Sequence, residues 1–269
     1  MFLSLRPLLE GTTFYVVSAI LGLIVGSFAN VCIHRLPKNE SVVKPASRCP
    51  KCLTPIRMWD NIPVISYLLL RGRCRACGVS ISARYPAVEA LNAILYLLAA
   101  LRFGGSTATF FYFLFITALI VITFIDYDLQ IIPDEITLPG IPIGLLAGWL
   151  ILPDPFYRAV NMGITASLIG AATGFLLYYS IAFISRGGMG GGDIKMMAMI
   201  GAVLGWKGVI LTTFLASCAG SIAGLYLMVF KGKGRKAKVP FGPFLAAGAL
   251  MSLFLGQEIV SWYIWHGQR

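Results

Sequence analysis

Charge is the first thing this sequence lacks. Only 12% of its 269 residues are charged, and the mean hydropathy is +0.81. Roughly a quarter of a soluble domain is charged, so composition excludes an ordinary soluble protein and leaves an integral membrane protein. Acids are scarcer still, with 11 Asp and Glu against 22 Lys and Arg, and there are two histidines, His34 and His266. So few histidines argue against a carboxylate–histidine metal centre. The first apolar stretch is not expected to be a signal peptide, since at about 20 residues it is longer than the ~7–15 of a signal h-region. The net charge of +11 excludes little by itself, but its uneven placement argues against a nucleic-acid partner.

Long apolar runs are abundant. Segments of about 17–25 apolar residues span a bilayer as helices. The sequence predicts eight, near 14–33, 86–102, 107–125, 136–152, 160–184, 194–205, 208–230 and 240–265. The sixth is short; it and the seventh are either separate spans or one bent pair around Gly205-Trp206-Lys207. The fold class expected is therefore an all-α polytopic membrane protein. Its parts are a first transmembrane helix (1–33), a polar module (34–85) and a transmembrane bundle (86–269).

Lys and Arg set the orientation. Ten lie from Arg35 to Arg84 and five more in KGKGRKAK (231–238), fifteen of the 22 in two loops. Both loops are expected in the cytoplasm, and the six segments between them return the chain to the same side. The polar module then lies in a reducing compartment. It holds Cys49-Pro-Lys-Cys52 and Cys74-Arg-Ala-Cys77, two CxxC pairs separated by 21 residues, close to the spacing of a four-cysteine zinc site. A structural zinc ion also explains how so short a loop holds together without a core of its own. Disulfides or free thiols are the alternative, but structural disulfides are rare in that compartment. Cys32 and Cys218 lie in apolar helices and are read as packing residues.

The same topology puts two acid-bearing turns on the cytoplasmic side. One is FIDYDLQIIPDEIT, with Asp126, Asp128, Asp134 and Glu135; the other is SRGGMGGGD, which ends at Asp193. Ionisable residues near membrane depth are expensive, and their default reading is functional. Asp193 can be an N-cap, since a glycine loop before an apolar helix suits one. A cap does not need five glycines, though, and glycine lets an extended peptide approach closely. Asp126 follows its apolar helix at about the same depth; Asp128 ranks second, and Asp134 suits the cap of the next helix. Two adjacent carboxylates share a proton and can activate water against a peptide carbonyl. A proton or cation pathway uses the same residues and is the rival reading. A scaffold built on the zinc module is a third.

FIDYDLQIIPDEIT together with GMGGGDIK resembles the paired motif of the prepilin peptidases, GxGD-type aspartic intramembrane proteases. The stretches GSFANVCIHRLP, WDNIPVISYLLLRGRC, RYPAVEALNA and VPFGPFLAAG resemble the same family, so the likeness runs from about Gly26 to Gly248. A short link between HRLP and the first CxxC departs from it. The resemblance implies catalytic roles for Asp126 and Asp193, with Gly190 and Gly192 as the motif glycines. It implies cleavage of a short basic leader from prepilins or pseudopilins after a Gly, at the bacterial inner membrane. It further implies N-methylation of the new terminus with S-adenosylmethionine as methyl donor. No glycine-rich strand-turn-helix marks a donor site here, and Gly72 and Glu89 are candidates only for the methyl-transfer region. Glu89 can equally serve the dipole of its helix. The fifteen loop cations repel a basic leader, so anionic membrane lipid is expected to hold it. GLIVG (22–26), GLLAG (144–148) and GSIAG (220–224) are small-xxx-small spacings expected to pack helices.

Overall fold

A computed structural model describes residues 11–157, 160–186, 188–231 and 240–267. Gly187 and most of the second basic run, residues 232–239, lie outside them. Among the described residues there is no strand, only three isolated bridges. The helices are α1 (Thr12–Arg35), a short α2 (Ile65–Leu69), α3 (Arg84–Phe103), α4 (Thr107–Leu129), α5 (Asp134–Leu150), α6 (Gly163–Ile184), α7 (Gly191–Lys231) and α8 (Gly242–Gly267). Helices are the required solution for such apolar runs. In lipid each backbone polar group must be satisfied within its own segment.

Six of these helices are long and apolar enough to cross a membrane: α1, α3, α4, α6, α7 and α8. The apolar part of α7 runs 40 residues, about 60 Å if straight, twice the ~30 Å of a hydrocarbon core. It is broken at Gly205, where φ is 68° and ψ is 177°, a conformation open to glycine without steric cost. Counting its two arms separately and adding the 17-residue α5 gives the eight helices expected. Pro139 and Pro142 lie inside α5, which membrane helices tolerate.

The chain divides into two compact units, residues 1–121 and 122–269, with the boundary inside α4. In the first unit α1 packs on α3 through the GLIVG glycines. A Cβ added at Gly22 would stand 2.6 Å from the Cα of Ala93, and one at Gly26 2.8 Å from the Cα of Glu89. Small residues of this kind let helix backbones approach where lipid offers no hydrophobic drive. Asn92, fully buried, donates to the Gly22 carbonyl at 2.8 Å and accepts from Thr117 at 2.9 Å. Such bonds contribute about 0.6 kcal/mol each within a membrane.

In the second unit the first arm of α7 is central. Met196, Met197, Ile200, Ala202 and Leu204 are all buried there, with α5 and α6 packed against it. Gly144 faces Ala202 and Val203, and Gly174 lies on the backbone of Met197. The second arm pairs with α8 through a Thr212–Ser252 hydroxyl bond of 3.1 Å. GSIAG behaves differently from expectation. Gly220 packs on Phe241 and Phe244, but Gly224 faces open space.

Candidate active site

Asp126 and Asp193 lie in the second unit. Asp126 occupies the last turn of α4, is 5% exposed, and accepts a hydrogen bond from the backbone N–H of Gly242 at 2.8 Å. Asp193 lies in the first turn of α7, half-buried, and its own N–H donates to the Gly190 carbonyl at 3.2 Å. The two carboxylates are close enough to interact electrostatically. The buried phenol of Tyr178 donates to Thr213 at 3.3 Å. Asp128 is exposed on the same helix end.

The two motif glycines are not equivalent. A Cβ at Gly190 would meet Asp193 Oδ2 at 3.4 Å, an ordinary contact. A Cβ at Gly192 would meet the Cβ of Ile132 at 2.7 Å, so the turn after α4 packs against the start of α7. Asp134 corrects one expectation. It is the first residue of α5 rather than its cap, a place taken by Pro133, and makes no capping bond. Instead both its carboxylate oxygens accept from Lys195 Nζ at 2.7 Å. The cation two residues past Asp193 therefore ties the start of α5 to the first turn of α7.

The cysteine pairs converge in the first unit. Sγ atoms of Cys49, Cys52, Cys74 and Cys77 all lie within 4.8 Å of one another, with Cys49–Cys77 at 3.9 Å and Cys52–Cys74 at 4.0 Å. A Zn–S bond of about 2.3 Å in a tetrahedron requires sulfurs about 3.8 Å apart, so the four residues fit such an ion. Each pair sits in a matching turn. Cys49 N–H donates to Thr54 and Leu53 N–H back to Cys49; Cys74 N–H donates to Val79 and Gly78 N–H back to Cys74. Leu53 and Gly78 occupy the same left-handed position, at φ 57° and 70°. Hydrogen bonds with the Thr54 side chain and backbone hold the Cys52 thiol down at about 6. The N–H groups of Cys77 and Ala76 lower Cys74. Thiolate character at these two favours a metal, whereas Cys77, despite the Val79 backbone bond that lowers it, is held up at about 11 by burial and the neighbouring thiols. A bidentate Arg75–Asp60 pair at 2.7–3.0 Å braces the second turn.

Gly72 and Glu89 engage opposite ends of α2. Gly72 has φ +65°, and a Cβ there would strike the Tyr67 ring at 2.9 Å. Glu89, 8% exposed, accepts from the N–H of Val64 at 2.8 Å. Val64 is a β-branched residue at φ 60°, an outlier that surrounding contacts must hold in place.

Two family models match the chain. Residues 20–103 match the bacterial peptidase A24 N-terminal domain, and residues 113–225 match the type IV leader peptidase family. A prepilin leader peptidase/N-methyltransferase of Pseudomonas putida is 34% identical over 289 aligned residues, covering 96% of this chain and 95% of the relative. The chain belongs to the type IV leader peptidase family. It is thus a peptidase and a multi-pass membrane protein of a bacterial family. Another prepilin leader peptidase/N-methyltransferase, from Bacillus subtilis, is 38% identical over 246 residues, covering 91% of this chain and 96% of its own. One from Pseudomonas aeruginosa is 34% identical over 291 residues, with 98% and 96% covered. No solved structure matches. The leader-peptidase match contains Asp126, Gly190, Gly192 and Asp193 and ends before Gly242.

Two partners of the acids in these turns escape a reading of the sequence: Gly242 stands 116 residues from Asp126, and Lys195 is 61 residues from Asp134. Only Gly242 left a signal, the FGP triplet with proline just inside the start of α8, where its missing N–H costs nothing.

Proposed function

We propose that this peptidase is aspartic, with Asp126 and Asp193 as its catalytic pair, and that it removes a short basic leader from prepilins or pseudopilins. The observation that carries this is that two carboxylates from distant turns lie in one unit, close enough to interact electrostatically, with one fixed by a backbone N–H. With one acid ionised and the other protonated, the ionised group takes a proton from water as the oxygen attacks the scissile carbonyl. The protonated group hydrogen-bonds the carbonyl oxygen as charge grows on it, and a proton passes to the leaving amine as the bond breaks. Gly190 leaves room over Asp193 for an extended peptide, and Gly192 keeps α7 seated on Ile132.

The site faces the cytoplasm in this proposal, at the inner membrane, because fifteen Lys and Arg lie in the two flanking loops. The first arm of α7, from Gly191 to the Gly205 break, is about 21 Å long, short of the ~30 Å hydrocarbon core. That length lets Asp193 sit below the membrane surface, where the apolar helix of a pilin-like substrate begins. Anionic lipid holds the basic leader beside the cationic loops. Zinc fills the four-cysteine site of the 34–85 module and closes it as a structural unit, with the bundle formed by 86–269. The relatives' names carry a second activity to this chain. S-adenosylmethionine supplies the methyl group for the new N-terminus, and the region is placed around Gly72 and Glu89, which α2 joins.

Purified protein incubated with a synthetic prepilin peptide tests the pair by mass spectrometry. Wild type is expected to cut after the leader glycine. Asp126→Asn and Asp193→Asn each keep the shape and lose the titratable group, and each is expected to lose about 10²–10⁴-fold in rate. Folded variants that still cut at the wild-type rate would assign the acids to capping or ion conduction instead.

A further inference from the structure

Between Met58 and Leu69 the first unit exposes six large apolar side chains: Met58, Trp59, Ile62, Ile65, Leu68 and Leu69, each 41–79% accessible. An apolar surface of that kind on a water-facing module marks an interaction site. Ile65, Leu68 and Leu69 share one face of α2, at spacings of three and four residues. Ser66, on the opposite side, is buried and donates to the Trp59 carbonyl at 2.7 Å, which ties the preceding 3-10 turn (Met58–Asn61) to the helix.

The depth of this segment is fixed by a second, independent contact. Val64, immediately before α2, is bonded through its N–H to Glu89 of the membrane-spanning α3. Glu89 is five residues into α3 from Arg84, about 7 Å along its axis. Asn30 near the end of α1 donates to the Tyr85 carbonyl at 3.0 Å, so both helices flanking the module meet at this level. Interfacial helices bury their apolar faces about 5–10 Å into the headgroup boundary, which is where this bond holds α2. Tryptophan is enriched at that level, and the exposed Arg57, Arg71 and Arg73 flank the segment with charge suited to an anionic leaflet.

We propose that the Met58–Leu69 segment is an interfacial anchor, seated in the headgroup region of an anionic bilayer, with Glu89 setting its depth through Val64. The inference rests on the topology proposed above, and its test requires no peptide cleavage. The full-length protein is placed, one chain per nanodisc, in phosphatidylglycerol-containing lipid with or without bromine on the acyl chains. Subtracting the emission of Trp59→Phe from that of wild type isolates Trp59 among the five tryptophans. The expected difference spectrum is blue-shifted, loses most of its intensity in brominated lipid, and resists aqueous iodide. A second reporter, Leu69→Trp on the Trp59→Phe background, is expected to behave alike. Emission quenched by iodide and untouched by bromolipid would overturn the proposal and place the segment in water. Emission shielded from both would overturn it and place the segment against the rest of the chain. Bromolipid quenching alongside inactive peptidase variants would leave the anchor standing and remove only the catalytic reading.

Discussion

Gly242→Ala separates positioning of the acid from stability of the fold. The glycine's N–H donates to Asp126 Oδ2 at 2.8 Å, and a Cβ built there would stand 2.7 Å from that oxygen and 3.1 Å from Cγ. Reaching an ordinary contact of 3.4 Å moves the carboxylate oxygen by about 0.7 Å. The backbone tolerates alanine, because Gly242 begins α8 without a positive φ. The side chain that yields is the end of a rotatable aspartate, at an off-rotamer cost of about 0.5–1.5 kcal/mol. Weakening of the charged hydrogen bond, worth about 1.5–3 kcal/mol when intact, adds a fraction of that, and alanine at the first helical position returns little of the mid-helix glycine penalty. Net destabilisation is therefore about 1–2 kcal/mol. Catalysis is far more sensitive, since a displacement of about 1 Å can cost 10²-fold, and roughly a 10–100-fold fall in kcat is expected. The assay follows cleavage of a prepilin peptide across substrate concentrations, with thermal unfolding in the same detergent. Gly224→Ala, which faces open space, is the control and should cut normally. Wild-type kcat in a folded Gly242→Ala protein would refute the idea that this N–H positions Asp126. A loss confined to KM would make Gly242 part of a substrate groove instead.

Gly192→Ala should lose activity and stability through its 2.7 Å clash with the Ile132 Cβ, and Ile132→Gly should restore part of both; Gly190→Ala, at 3.4 Å from Asp193, should retain most cleavage. Chelation of zinc, or Cys74→Ser, should raise protease sensitivity between residues 34 and 85, and metal analysis should fall from one zinc per chain to none. The Arg75 hydrogen bonds hold Asp60 below the usual carboxylate range. Because its folded value is depressed, the pair's contribution is present above the ordinary Asp value of about 3.9 and is lost as pH falls through the depressed one. Wild type should therefore resist proteolysis of the module better than Asp60→Asn at neutral pH, and the difference should vanish on acidification.

The sequence by itself determined the membrane helices, because a bilayer imposes both length and composition on any segment that crosses it. It also pointed to the four-cysteine site, since two CxxC turns can converge on one ion whatever lies between them. The candidate acids were legible for a related reason: carboxylates are costly beside apolar helices, so Asp126 and Asp193 stand out among eleven. Which residues surround them was not legible. The N–H that fixes Asp126 comes from 116 residues away, and backbone donors carry no residue signature. Asp134 looked like a cap because local spacing favours one; the partner it has in the structure is Lys195, 61 residues on. Gly190 and Gly192 are identical as letters in the motif. Only the approach of Ile132 leaves Gly192, and not Gly190, without room for a side chain, because steric room is a property of what packs nearby. The same holds for Val64, whose strained backbone is bonded to the buried carboxylate of Glu89, 25 residues away. Composition and spacing act along the chain, and contact between distant segments exists only once the helices have packed.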